Sequence, residues 1–482
     1  MNFRAINHTI GSIILLEMAF MLPGLVWCWV DRDGHSALAF GASLLIMGVC
    51  AGLFLLVGRR ARGSIFAPEG FVTVAMCWIV LSLLGCLPFY ISGQIPSYID
   101  ALFEVVSGFT TTGASILADP AEMSRGLLFW RSATHWLGGM GILVFMLAIL
   151  PARQGGALHL MQAESPGPTV SKLTPRLRQT SKILYAIYLA LTLACILFLL
   201  AGGMSLFDSL CTAFGTAGTG GFGIKADSMA SYSPYLQWVV TVFMALFGVN
   251  FSVYYLLLLR KVGLAVKDEE VRLYFLILLV AGALIAWDIR DLIPDFSERI
   301  RHAYFQVSSI MTTTGFSTVD FDVWPAFSKA ILLCLMAVGA CAGSTGGGLK
   351  VIRLSLMLKS LRRAMRRTLR PNSVQLVRVN GKVVEDDVLH NVSAYLVAYV
   401  LILFGSFVVV SLDELSLESN ISAVFSCFNN IGPGFDAVGP MVNYDCYSDL
   451  SKLVLTLDML LGRLEIFPLL ALFSRHSWSR RL

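Results

Sequence analysis

The sequence predicts an all-α polytopic membrane protein with ten transmembrane helices and four re-entrant loops. Three observations carry that prediction. Of 482 residues, 56% are hydrophobic and only 14% charged, so the length divides into membrane spans rather than soluble domains. Ten apolar runs reach the ~20 residues that a helix needs to cross a bilayer. One short stretch, DALFEVVSGFTTTGAS from Asp100, returns three times in altered letters.

The runs fall at about 10–30, 38–58, 70–91, 124–150, 181–203, 233–259, 271–289, 324–358, 386–411 and 446–474. The first follows Arg4 and ends at DRDGH; it is too long for a leader core and reads as a span rather than a cleaved signal. The eighth is interrupted by AGSTGGG, Ala342 to Gly348, which no continuous helix tolerates cheaply at about 1 kcal/mol per interior glycine. Between spans three and four, five and six, seven and eight, and nine and ten lie the repeated stretches. Their apolar parts hold only a dozen or so residues, too few to cross, so each reads as a re-entrant hairpin.

Charge alternates along the connections. The segments Arg59–Gly63, Arg153–Lys182, Arg260–Arg272, Lys350–Lys382 and Arg475–Arg481, with Arg4, hold 26 of the 36 lysine and arginine residues. By the positive-inside rule these face the cytoplasm, as do both termini, and the four hairpins open outward. The basic stretch Leu358–Arg370 reads either as a docking surface for a cytoplasmic partner or as a solvated flank facing lipid headgroups. The ten cysteines lie mostly in apolar runs without metal-ligand spacing and read as small core residues.

The copies after the first read DSLCTAFGTAGTGGFG from Asp208, HAYFQVSSIMTTTGFS from His302 and SNISAVFSCFNNIGPG from Ser419. They align on Gly113, Gly221, Gly315 and Gly432, at intervals of 108, 94 and 117 residues, as four walls around one axis would. Two places earlier stand Thr111, Thr219, Thr313 and Asn430, always polar. Thirteen places earlier stand Asp100, Asp208, His302 and Ser419, three of them good N-caps for a short helix. The C-terminus of such a helix carries roughly half a negative charge toward the turn, which suits a cation.

Irregular backbone at membrane depth is costly unless it is buried in protein or lines a watery cavity. Four turns on one axis can replace the water shell of a cation with carbonyl oxygens, and glycine is needed where φ is positive or the chain packs close to that axis. The competing reading is that the glycines only permit close helix contact. A membrane-embedded enzyme would need a nucleophile and base or a metal cluster, and His135, His302 and His390 offer no such spacing. Glu17, Glu104, Arg131 and His135 also lie in or beside apolar runs, where structural pairing is the expected role.

TTTGAS, TGGFG, TTTGFS and NNIGPG, with GACAGSTGGGLKVIR at Gly339–Arg353 and GRLEIF at Gly462–Phe467, resemble the Trk/Ktr/HKT superfamily of potassium transporters, and within it most nearly the bacterial TrkH group. The resemblance covers essentially the whole chain. It implies a helix pair (1–66) followed by four M1–P–M2 repeats around one pore, at 67–152, 153–262, 263–370 and 371–482. It implies potassium as the transported ion, the bacterial inner membrane as the location, a homodimer, and cytoplasmic TrkA-like nucleotide-binding regulatory subunits, with no nucleic-acid partner. Carried over by position, the selectivity filter is Thr111, Thr112 and Gly113; Thr219, Gly220 and Gly221; Thr313, Thr314 and Gly315; and Asn430, Ile431 and Gly432. In the fourth loop Gly434 is the alternative to Gly432. All four filter glycines are present, whereas some sodium-carrying relatives have serine in the first loop, which favours potassium.

The resemblance also implies that Gly343, Ser344, Thr345, Gly346, Gly347 and Gly348 form an intramembrane gating loop; a static break that lets helices pack is the alternative. Arg463 lies inside the last run, where a charge costs roughly 3 kcal/mol and so faces a cavity or a partner. It is read either as a pore-facing charge below the filter or as an ion-pair partner of Asp458 or Glu465. Coupling to protons or sodium, as a symporter would show, stays open.

Overall fold

The computed structural model describes residues 1–59, 67–141, 177–370 and 375–474. Among these described residues, apart from one short ribbon in which Arg378–Val379 pairs antiparallel with Lys382–Val383, the regular structure is helical. Among the described residues six helices are long and apolar enough to cross a membrane, or seven if one bent pair counts as a single span. The basic segments 60–63 and Arg475–Arg481, residues 142–176 with the end of the fourth run, and the expected boundaries near 66, 152 and 371 lie outside the described residues.

Two antiparallel helices open the chain, α1 (Phe3–Val30) and α2 (Gly34–Val57). Asn2 and Asp33 cap them, each side chain accepting an amide hydrogen bond from the first turn. Leu38, Leu45, Leu53 and Leu56 of α2 are exposed although the helix is apolar throughout, as expected where lipid is the solvent.

Four groups of helices follow. The first has α3 (Ala67–Gly85), α4 (Leu87–Ile91), the short α5 (Tyr98–Phe109) and α6 (Arg125–Gly139). The second has α7 (Leu177–Ala201), the short α8 (Leu206–Gly218), α9 (Pro234–Phe247) and α10 (Phe251–Leu258). After α11 (Val262–Val266) come α12 (Glu269–Asp288), the short α13 (Phe296–Met311), α14 (Ala326–Val338) and α15 (Val351–Leu369). The fourth has α16 (Asp386–Val410), the short α17 (Leu417–Asn429), α18 (Asp449–Arg463) and α19 (Phe467–Phe473).

The groups interlock in a closed cycle. The helix after each short helix packs against the next group's short helix: α6 on α8, α9 on α13, α14 on α17, and α18 back on α5. The short helices are therefore the buried centre, and every residue from Phe103 to Phe109 is buried. A single core cluster joins Phe103 and Phe109 to Leu455 and Met459, so the last group seals against the first.

Several boundaries differ from the sequence reading. The short helices begin two residues before Asp100, Asp208 and Ser419, capped instead by Ser97, Ser205 and Ser416, while Asp295 caps the third, and His302 sits inside α13. The overlooked signal is the capping-box spacing, with an acid or serine at the third helical position donating its amide to the cap: Asp100 to Ser97, Asp208 to Ser205, Ser419 to Ser416. Ser205→Ala is expected to cost about 1 kcal/mol of stability, read as a lower unfolding midpoint in detergent.

The sixth run is not one straight span but α9 and α10, bent by 91°. Asn250 drives the break by capping α10, its side chain accepting from the Ser252 amide at 2.9 Å. The tenth is broken between Arg463 and Phe467, where Glu465 and Ile466 both have positive φ. Pro468 then starts α19 in the first turn, a stop signal the hydropathy hid. The break in the eighth run runs from Gly339 to Lys350, wider than Ala342–Gly348.

Candidate functional site

All four short helices end in the same way. The amides of Thr111, Thr219, Thr313 and Asn430 bond the carbonyls three residues back, and those of Thr112, Gly220, Thr314 and Ile431 bond the carbonyls five residues back, which is the Schellman ending. That ending requires a left-handed residue, and Thr111, Thr219, Thr313 and Asn430 have φ of 57, 56, 59 and 56°. A β-branched threonine there is strained by about 1–3 kcal/mol, so three such residues mark a site held by its surroundings.

Two residues later Gly113, Gly221, Gly315 and Gly432 again have positive φ, 82, 77, 86 and 102°. A Cβ on Gly113 would overlap the Gly220 carbonyl oxygen, one on Gly221 the Thr314 oxygen, and one on Gly315 the Ile431 oxygen. One on Gly432 would lie 2.8 Å from the Thr112 oxygen, which closes the circuit. Gly434 is not in this circuit; its amide bonds Val438. The four glycines thus sit corner to corner, and together they line a vestibule of about 290 Å³. Its lining includes Arg131 and Lys225 but no carboxylate.

The side chains behind the turns fix them. Thr110 and Thr112 share a hydroxyl bond of 2.8 Å, Thr312 and Thr314 one of 2.7 Å, and Asn430 donates to Thr112 Oγ1 at 3.0 Å and to the Met459 carbonyl at 2.9 Å. Tyr444, unmarked in the sequence, donates its hydroxyl to the Gly432 carbonyl at 2.7 Å and its amide to the Ser115 carbonyl at 2.8 Å, tying the fourth loop to the first.

Beneath the turns lies the Gly339–Lys350 segment. The Gly347 amide donates to Thr313 Oγ1 at 2.6 Å, Thr345 Oγ1 to the Phe247 carbonyl at 3.3 Å, and Ser344 Oγ to the Cys341 carbonyl at 2.6 Å. Gly343 (φ 69°) accepts from the Phe251 amide at 3.0 Å, Gly348 (φ 76°) packs against Gly339, and Gly346 accepts from the buried Lys350 ammonium. Buried Glu270, which no sequence pattern singled out, accepts from the amides of Ala342 at 2.6 Å and Ile352 at 3.2 Å, gripping both ends of the segment.

Arg463 joins the two layers. Its guanidinium donates to Thr111 Oγ1 at 3.2 Å, the Thr345 carbonyl at 2.9 Å, the Gly139 carbonyl at 2.7 Å and the Gly138 carbonyl. The acids proposed as its partners are engaged elsewhere: Glu465 with Arg353, and Asp458 with Ser406 at 2.7 Å. Of the other buried charges, Glu104 pairs with Arg131 at 2.6 Å and Glu17 faces Gly85.

Residues 45–480 match the family described as "TrkH: Cation transport protein". The chain is 36% identical to the Trk system potassium uptake protein TrkH of Salmonella typhimurium, over 99% of this chain and all of the relative. It is 32% identical to the Trk system potassium uptake protein TrkG of Escherichia coli, over 98% of each. In three dimensions it is similar to the crystal structure of the potassium transporter TrkH from Vibrio parahaemolyticus, with a TM-score of 0.89 at 31% identity, covering 99% of this chain and 100% of the other.

Proposed function

Because the chain belongs to the TrkH family of cation transport proteins, we propose that it takes up potassium across the bacterial inner membrane through one pore, with the four carbonyl corners as its selectivity filter. It is a membrane transporter and not an enzyme; potassium is its cargo. The observation that carries the filter reading is the closed circuit of glycines, each leaving no room for a Cβ beside the next loop's carbonyl. A cation at its centre meets main-chain oxygens from Thr112, Gly220, Thr314 and Ile431, with four helix C-termini behind them.

In this reading the four helix groups are the M1–P–M2 repeats, the short helices with their turns are re-entrant, and α1–α2 stand outside the pore. The full chain crosses ten times with both termini cytoplasmic. Gly343–Gly348 is the gate, held closed under the filter by Arg463, Thr313 and Glu270. The protein works as a homodimer regulated by a cytoplasmic nucleotide-binding subunit. Membrane potential alone, at ~100 mV, supplies about 2.3 kcal/mol per charge and supports about 40-fold accumulation.

Rubidium uptake in a potassium-uptake-deficient bacterium tests the reading. The native chain is expected to restore growth at low potassium and to take up rubidium in preference to sodium. Equal sodium and rubidium flux through reconstituted protein would sink the filter assignment.

A further inference from the structure

The second filter turn differs from the others in having no side chain at its middle position. Where the first and third loops carry Thr112 and Thr314, each tied by a hydroxyl bond to the threonine two before it, and the fourth carries core-packed Ile431, the second has Gly220. Glycine offers neither a hydroxyl nor an apolar anchor, and TGGFG is the most flexible of the four sequences.

The missing support comes from α6 of the preceding repeat. The His135 ring is fully buried and occupies the space a Gly220 side chain would fill. Its Nδ1 lies 2.8 Å from the Gly108 carbonyl and its Nε2 3.2 Å from the Phe222 amide. A carbonyl only accepts and an amide N–H only donates, so the imidazole is the neutral Nδ1–H tautomer. One helical turn earlier, Arg131 donates to the Gly223 carbonyl at 2.9 Å and to Ser115 Oγ at 3.0 Å, and pairs with Glu104 at 2.6 Å. Glu104 in turn accepts from the Ile116 amide at 3.0 Å and Ser115 Oγ at 2.9 Å. The Phe222 ring is held between the guanidinium, 3.5 Å from its centroid, and the imidazole, 4.1 Å away.

Among the described residues this arrangement occurs at one corner. The residues matching Glu104 in the other copies, nine before the glycine, are Thr212, Gln306 and Ala423, none of them a carboxylate. A buried ion pair contributes little net stability against an apolar replacement, and its best-attested use is in specifying one arrangement.

Resting on the filter reading above, we propose that His135 and Arg131 are specificity-determining positioning residues, an external brace that sets the Gly220 carbonyl and thereby potassium-over-sodium discrimination. They touch no ion; they act through the second loop.

The test is the potassium-to-sodium permeability ratio of reconstituted protein, taken from reversal potentials. His135→Asn keeps a donor near Gly108 but puts no acceptor at Phe222, whereas His135→Gln restores an acceptor there. Expected is a fall of about tenfold in the ratio for His135→Asn and for Arg131→Lys, with His135→Gln within about twofold of native. A native ratio in His135→Asn protein overturns the proposal. Gly432→Ser, in the opposite loop and touching only the first, separates the two readings. If it lowers the ratio and His135→Asn does not, the brace alone falls; if neither does, the four-corner filter falls with it. Should the variants not reach the membrane, hydrogen–deuterium exchange on the native protein decides: a Phe222 amide as slow as those within α8 upholds the brace, and rapid exchange there overturns it.

Discussion

Gly221→Ser is expected to abolish selective potassium uptake. Its Cβ would overlap the Thr314 oxygen, and its φ of 77° is one that L-residues adopt only with strain. The obstructing atom is backbone of the neighbouring repeat, which cannot swing aside as a side-chain tip can. Moving it means moving Thr313, whose hydroxyl accepts the Gly347 amide, so the damage spreads to the segment below. Strain of about 1–3 kcal/mol and displacement of two of four carbonyl corners together call for a loss of about 100-fold in rubidium uptake rate. Gly203 supplies the comparison. It also has a positive φ, 83°, but a Cβ there meets nothing within 4 Å, so Gly203→Ala is expected to keep uptake near native at equal membrane abundance.

Arg463→Ala is expected to do the opposite and raise flux. The guanidinium holds the Thr345 carbonyl to Thr111 of the first filter loop, so its removal unpins the segment under the turns. It also removes a positive charge beside the proposed path; at roughly 8 Å and an effective dielectric of ~20 that charge repels a cation by about 2 kcal/mol. Single-channel conductance or initial rubidium influx should rise by about tenfold, with the potassium-to-sodium ratio unchanged because the filter glycines are untouched. The same variant leaves the Gly138 and Gly139 carbonyls with one donor fewer, so about 1–3 kcal/mol of stability goes with it. Arg463→Lys, a point charge without the planar fork, should keep the repulsion and lose part of the tether, and its flux should fall between the two. Unchanged influx in Arg463→Ala protein would show that neither the charge nor the tether limits passage.

What the sequence revealed and what it hid follow from how local each feature is. The four glycine turns were legible because one backbone shape demands glycine at the same place four times, and repetition survives divergence of the letters. The interruption of the eighth run was legible because three adjacent glycines cannot be continuous helix at low cost. The left-handed threonines were not, since Thr111, Thr219 and Thr313 contradict the residue preference of the conformation they adopt, and only the surrounding contacts hold them there. Hydropathy counts composition without direction, so the 91° bend at Asn250 and the break before Pro468 were read as straight spans. Glu104, Arg131 and His135 stood out as buried polar residues, yet their joint hold on the second loop depends on α6 crossing α8, a long-range fact. Glu270 is one of two adjacent acids at a helix start, and nothing local distinguishes it from Glu269, which pairs with Lys359 instead.

The cyclic packing bears on how the protein is made. Because α18 is the helix that seats against α5, with Lys452 reaching Asp100 at 2.7 Å and Asn430 reaching Thr112, the first corner waits for the last quarter of the polypeptide to leave the ribosome. Until that keystone arrives the proposed ring of filter oxygens is incomplete. On the proposed filter reading, a half-synthesised chain is then not a leak in the membrane that is building it.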